Sequence, residues 1–184
     1  MNILMSYKNL PSLYAIKSII ILDSEGKKIW AQYYENSVPS CKKSILEFEK
    51  SLFLKTKKVK DGPFLFKKFT VVYKSVKDVN LFVLGNQSEN VLLLEATLNC
   101  LFETLSNVFN DHLQKSAIYQ NMEKLLLAID EIVDRGVVLQ CDAMEVCDRI
   151  DITAAHLPIG EKTVSQLVEC AKQKFQQYKY SILH

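Results

Sequence analysis

Leu13-Tyr14-Ala15-Ile16-Lys17-Ser18-Ile19-Ile20-Ile21-Leu22, then Asp23-Ser24-Glu25-Gly26, then Lys28-Ile29-Trp30-Ala31-Gln32-Tyr33-Tyr34, are the residues that decide the fold. The first run is rich in β-branched and aromatic side chains, as a central strand is. The four residues after it make a turn, with Gly26 free to take positive φ. The third run reads as a second strand. Two strands joined by a short turn form an antiparallel hairpin.

Beyond the hairpin, Pro39 opens a predicted helix over 39–56. Ile45, Phe48 and Leu52 recur there at helical spacing, with lysines on the other faces. A Lys-rich loop with Gly62-Pro63 ends it. Strands are predicted at 64–66, 69–74 and 79–84, with residues 75–78 as the turn between the last two. The order is β-β-α-β-β-β.

The rest reads as helical. Ser88 is positioned to cap a helix over 90–113. Leu94, Leu98, Leu101, Leu105 and Val108 form its main stripe. Leu92, Leu93, Ala96, Cys100, Phe102 and Phe109 widen that stripe well past one face. A helix apolar on most sides is buried on most sides, under its own sheet or under a partner. A cleaner helix over 116–134 repeats Ile118, Met122, Leu125, Leu126, Ile129, Ile132 and Val133, and Gly136 ends it as a left-handed cap. Residues 137–139 are a short extended stretch. Asp142 and Glu145 form a capping box for a helix to about 149. A loop with Pro158 and Gly160 precedes a last helix capped by Thr163 and Gln166, with Val164, Leu167, Val168, Ala171 and Phe175 inward. Strands with one helix first and covering helices later make an α+β domain with a five-stranded antiparallel sheet. No internal repeat, low-complexity tract or interdomain linker interrupts it.

Composition narrows the function. The 184 residues are 48% hydrophobic and 24% charged, with a net charge of +2. That balance argues against a nucleic-acid binder, which carries a strong basic excess. The charge is uneven, however. Residues 42–79 hold Lys42, Lys43, Lys50, Lys55, Lys57, Lys58, Lys60, Lys67, Lys68, Lys74 and Lys77 against Glu47, Glu49, Asp61 and Asp78. Such a face suits anionic headgroups; the alternative is a solvated helix end and loop. Residues 1–5 do not form a signal peptide, and no apolar run approaches the roughly 20 residues of a membrane helix. Asn2 excludes myristoylation, and the last four residues carry no prenylation box.

Chemistry is hard to find. Cys41, Cys100, Cys141, Cys147 and Cys170 are odd in number and contain no C-x-x-C, so neither a disulfide framework nor a zinc site is expected. His112, His156 and His184 lie far apart and show no metal spacing. There is no phosphate-binding loop, dinucleotide fingerprint or nucleophile elbow. Asp130, Glu131 and Asp134 read as the solvated face of an amphipathic helix. Cys100 reads as an inert core thiol, and His112 as a partner of a helix C-terminus. No catalytic, cofactor or metal site is expected, and the chain reads as a docking domain.

Several blocks resemble one family, in its order. Pro11-Ser12-Leu13-Tyr14, residues 19–23 with Gly26, and Ala31-Gln32-Tyr33-Tyr34 resemble the start of the coatomer zeta subunit family. Thr70-Val71-Val72-Tyr73-Lys74-Ser75 resembles its fourth strand. Glu89-Asn90 with Leu98-Asn99-Cys100-Leu101-Phe102 resembles its first long C-terminal helix, and Asn121-Met122-Glu123 with residues 128–134 the next. Thr163-Val164-Ser165-Gln166 resembles the start of its last helix. Residues 55–68 and the final residues diverge from the pattern.

The resemblance implies a single longin-like domain over 11–180, with an N-terminal extension 1–10 and a tail 181–184. It implies a non-catalytic subunit of the COPI coat, without cofactor, on the cytosolic face of Golgi membranes. It would pair directly with the gamma subunit of coatomer, beside beta and delta, with Arf GTPase acting indirectly and membrane contact made only through the coat. Retrograde Golgi-to-ER and intra-Golgi transport would be its work. The related sigma chains of clathrin adaptors, which read dileucine signals in a pocket here around Phe102, Asp111 and His112, are the alternative. Interface residues are expected among the surplus apolar side chains Phe53, Leu54, Leu92, Leu93 and Phe102.

Overall fold

Every residue of β1 (Ile16–Asp23) is buried. The reason is its place: in the computed structural model it runs between β2 (Lys28–Tyr33) and β5 (Val79–Asn86), antiparallel to both, with side chains covered on both faces. The structure describes residues 13–34, 42–57, 59 and 62–156, with the side chains of 152–156 excepted. The chain divides into two compact units, residues 1–150 and 151–184, and the sheet belongs to the first.

The sheet runs β2-β1-β5-β4-β3, with β3 at Phe64–Phe66 and β4 at Phe69–Val76, all pairs antiparallel. This is the five-stranded order of elements expected from the sequence. Successive side chains on a strand point to opposite faces, and the core divides accordingly. Ile20, Leu22, Val71, Phe82 and Leu84 pack against Phe48, Leu52 and Phe53 of α1 (Lys42–Thr56). Ile19, Ile21, Val72, Leu81 and Val83 pack on the other side with α2 (Val91–Val108), α3 (Lys115–Gln120) and α4 (Met122–Ile132). The sheet is thus sandwiched between one early helix and the later ones.

The β1–β2 turn is fixed by Asp23, whose Oδ1 accepts from the backbone N–H groups of Glu25 and Lys27 at 2.9 and 2.8 Å. Pairing slips between Ile21 and Leu22, so Ile29 is the extra residue of a bulge. Strand β4 extends further into the turn than expected, pairing Val76 with Val79, while β5 starts where expected and runs on to Asn86.

Local chemistry moved several boundaries. Asn90, not Ser88, caps α2: its side chain accepts from Leu92 N–H at 3.0 Å, while Ser88 sits in the turn after β5. The helix stops at Val108 rather than 113 because Asn110 and Asp111 both take left-handed φ, of 49° and 59°. The Asp111 N–H closes the end on Ser106 O at 2.8 Å. His112 therefore lies beyond the helix, its Nδ1 2.6 Å from Asn110 O.

The expected helix over 116–134 is two helices. Asn121 breaks it, with φ −134° and its side-chain amide donating to Ala117 O at 3.1 Å. Competition of this kind with the helix ladder is what short amide side chains do. The apolar period crosses the break undisturbed, so periodicity alone did not reveal it.

Gly136 has positive φ as expected, but as part of a hairpin turn rather than a helix cap. Arg135 (φ 47°) and Gly136 (φ 88°) join β6 (Val133–Asp134) to β7 (Val137–Val138). Two left-handed residues in a two-residue loop match the twist of a hairpin. Ile16 N–H donates to Gly136 O at 3.0 Å, which pins this hairpin to the start of β1. Last comes α5 (Ala143–His156), longer than expected. Asp142 caps it through Met144 and Glu145 N–H, but the Glu145 carboxylate turns to the Gln140 amide instead of completing a capping box. Pro39, Cys41, Cys170, the Pro158–Gly160 loop, the Thr163 and Gln166 cap and the expected domain edges lie outside the described residues.

Candidate docking surfaces

By length and mean hydropathy (18 residues, 1.2) α2 approaches what a membrane span needs, more closely than the sequence reading allowed. Its inward stripe is used otherwise: Leu94, Thr97, Leu98, Cys100, Leu101, Thr104 and Leu105 are buried against β4, β5 and α4. Close approach is possible because Gly85 has no side chain; a Cβ there would stand 2.9 Å from Leu94. Val91, Leu93, Phe102 and Val108 are half-buried at the margin of this core, and Leu92 and Ala96 are exposed.

The first turn of α2 borders a groove. Leu93 lines it with Leu13, Val137, Val138, Leu139, Gln140 and Cys141, around a volume of about 320 Å³. Leu13 and Leu92 are 71% and 73% exposed, and Leu139 is also exposed. Leu139 is held at the rim by its N–H, which donates to Ile132 O at 2.8 Å. Single exposed leucines are ordinary; several around one hollow are the mark of a docking site.

The five residues expected at an interface do not gather in one place. Leu93 lines this groove, and Leu92 is its exposed neighbour in the first turn of α2. Phe102 is half-buried further along α2, with Lys74 Nζ 3.9 Å from its ring centre and the same ammonium donating to Asn99. Phe53 is 8% exposed and belongs to the core under α1, on the opposite side of the sheet. Leu54, beside it, is 59% exposed. Sequence reasoning did not single out Leu13, Val138 and Leu139 as a surface. The apolar run 137–139 was visible, but only the hairpin places it beside the start of β1.

Two carboxylates are buried and paired. Burial pushes the Asp23 carboxyl up, but Lys115, donating at 2.7 Å, and the backbone N–H groups of Lys27 and Glu25 outweigh it, so Asp23 titrates below the usual carboxylate range. Glu49 Oε1 accepts from Lys28 Nζ at 2.8 Å and Tyr33 O–H at 2.7 Å, joining α1 to β2. Both are structural ties between elements, and neither stands in the groove.

The expected polar face of α4 is as read. Asp130 is exposed and Glu131 pairs with Arg149 at 3.4 Å, while Asp134, also exposed, falls past the helix in β6. Cys100 is buried, which pushes its thiol up to about 11, as an inert core thiol requires. Around the site expected for a dileucine signal, Asp111 O accepts from Lys77 Nζ at 2.7 Å.

The family profile described as "Clathrin adaptor complex small chain" matches residues 15–156, which spans the sheet and helices just described. Human coatomer subunit zeta-1 is 43% identical over 173 residues, covering 94% of this chain and 96% of that protein. The chain belongs to the coatomer zeta subunit family. Members from plants and amoebae align over similar lengths: Arabidopsis thaliana coatomer subunit zeta-1 is 34% identical (86% and 92% covered), and a probable coatomer subunit zeta-A of Dictyostelium discoideum 33% (88% and 94%). The fold of this coatomer zeta family member is also that of a chain in a homology model of the full-length AP-3 complex. There the TM-score is 0.58 at 13% identity, over 76% of this chain and 94% of that one. The family resemblance and the longin-like fold expected from the sequence both hold.

Proposed function

We propose that this chain is a non-catalytic subunit of the COPI vesicle coat, held directly on the gamma subunit of coatomer and working at the cytosolic face of Golgi membranes in Golgi-to-ER and intra-Golgi transport. Full-length similarity to coatomer zeta subunits carries the reading: 43% identity over 96% of the human protein. The apolar rim of Leu13, Leu92 and Leu139 supports it, because permanent complexes bury large apolar surfaces. Leu92 and Leu93, with that rim, are the part of the expected interface set we assign to the gamma subunit.

The test is co-expression with the amino-terminal trunk of a gamma subunit, followed by gel filtration. The two chains are expected to elute together, and a Leu92→Asp/Leu139→Asp variant to elute apart from its partner. A wild-type chain that elutes alone overturns the proposal. Saturable binding of an acidic dileucine peptide would instead favour the sigma-type alternative.

A further inference from the structure

The outward side of α1 carries a pattern that the packing of the domain does not use. Lys43, Leu46, Lys50, Leu54 and Lys57 follow one another at spacings of three, four, four and three residues. At about 100° per residue the first four form one stripe, roughly 16 Å long at about 1.5 Å per residue, and Lys57 follows in the turn just past the helix. All five are exposed, on the side of α1 away from Phe48 and Leu52, which face the sheet; Phe53 is buried at the edge of the stripe.

A second basic element stands beside it. Lys67 and Lys68 form the tip between β3 and β4. The Lys67 ammonium lies 5.0 Å from the ring centre of Phe48 on α1, which sets the tip against the helix. Lys57 lies similarly over Phe53 at 4.8 Å, and Lys68 over Phe69 at 5.6 Å.

Opposing charge on these two elements is sparse among the described residues. Glu47 is the one exposed carboxylate that α1 and the β3–β4 tip contribute among the described residues, since Glu49 is buried and paired with Lys28. The ion pairs Lys27–Glu25, Lys28–Glu49, Lys115–Asp23 and Arg149–Glu131, among the described residues, include none of these lysines.

We propose that this face of α1, with the β3–β4 tip, lies directly against a membrane surface carrying anionic headgroups. Charge complementarity selects the partner, and the residue types select its class. The basic side chains on this face are lysines; the chain's two arginines are elsewhere, at Arg135 and Arg149. Protein interfaces favour arginine and deplete lysine, whereas clustered lysines suit the diffuse negative field of a lipid surface. Leu46 and Leu54, alternating with the lysines, reach the boundary between headgroups and acyl chains while the ammonium groups stay at headgroup level. The contact is reversible, because a single helix face with two leucines cannot insert as a spanning helix does.

The full chain, incubated with phosphatidylcholine vesicles with and without phosphatidylserine, tests this by co-sedimentation. Binding is expected only to the phosphatidylserine vesicles, and to be lost as salt is raised well above about 0.15 M. A Lys43→Glu/Lys50→Glu/Lys57→Glu variant is expected to bind about 100-fold more weakly. A Lys124→Glu control on α4 should bind as wild type, and thermal melts of both variants show that they fold. Equal binding to neutral vesicles, wild-type binding by the triple variant, or equal loss in the control overturns the proposal. So does binding to polyglutamate with none to vesicles, which would mark the face as a site for an acidic protein. No gamma subunit is present, so failure of the docking proposal leaves this result readable.

Discussion

Lys115 at the start of α3 donates to Asp23 in the first turn of the sheet, Nζ to Oδ2 at 2.7 Å, across 92 residues of chain. The Lys115 N–H also donates to Asp78 Oδ1 at 3.1 Å, so one residue ties α3 to both turns at that end of the sheet. Asp23 is already committed to the backbone of its own turn. Its carboxylate form is what all these donors favour, which is why it titrates low despite burial.

The pH consequence has a definite sign. A carboxyl held below its unfolded value adds stability above the unfolded pKa, and that stability is lost as pH falls through the folded one. Asp23→Asn is therefore expected to lower the urea midpoint at neutral pH and to flatten the acid limb of a midpoint-against-pH curve. Lys115→Met should act in the same direction and less strongly. An acid limb as steep in Asp23→Asn as in wild type would remove Asp23 from the account.

Gly26 makes a second test. It holds φ at 81°, and a Cβ there would stand 2.4 Å from Cδ1 of Phe53. Left-handed backbone alone costs an alanine about 1–2 kcal/mol, and displacement of a buried ring adds to that. Gly26→Ala should thus lose at least about 1–2 kcal/mol of unfolding free energy in urea. Combined with Phe53→Leu, the loss should be less than the sum of the two single losses, since the ring is what the new methyl meets. Strict additivity would mean the clash is relieved elsewhere.

Much of this was legible from residue types alone. The run 19–22 is apolar without alternation, as a strand covered on both faces calls for. The turn at 23–26 announced itself through Asp and Gly. The misses share a cause, namely that a local conformation overrode an uninterrupted apolar period. Asn121 breaks a helix whose core stripe runs straight past it, and Asn110 with Asp111 ends α2 while apolar residues continue to Leu113. The groove was harder to see for another reason. Leu13, Leu93 and Leu139 meet only because Gly136 carries the β6–β7 hairpin onto Ile16, a contact no spacing reports. The lysine–leucine stripe, by contrast, is written in the sequence at helical spacing; only its exposure needed the structure.

Glu49 joins α1 to the edge strand β2 at a site that is 1% exposed. Its Oε1 takes both Lys28 and Tyr33, while Oε2 has no hydrogen-bond partner among the described residues. A carboxylate so poorly served depends on each donor it has. Tyr33→Phe should cost about 2 kcal/mol, the usual worth of a hydrogen bond to a charged group. Burial first, then the Glu49 hydrogen bond and charge, push the Tyr33 phenol far above its ordinary value. Stability from this tyrosine is accordingly present below the unfolded phenol pKa and lost as pH rises beyond it. Absorbance titration should show Tyr33 ionising only with unfolding, and an early phenolate signal absent from Tyr33→Phe would refute that.

Cysteine reactivity offers a readout of the groove itself. Cys100 is buried, with its thiol pushed up to about 11; desolvation raises the Cys141 thiol too, but Cys141 is exposed on the groove's lining, so access separates the two. Reaction needs both thiolate and access. Brief treatment of the folded chain with a thiol reagent, followed by peptide mapping, should therefore modify Cys141 and spare Cys100. In a purified complex with the gamma-subunit trunk, Cys141 should become protected, because a partner seated on Leu92 and Leu139 also covers the hollow that Leu93, Leu139 and Cys141 line. Protection of Cys141 that survives Leu92→Asp/Leu139→Asp would place the partner elsewhere. Labelling of Cys141 in the intact wild-type complex at the free-chain rate would do the same, and would leave the groove open on the assembled coat.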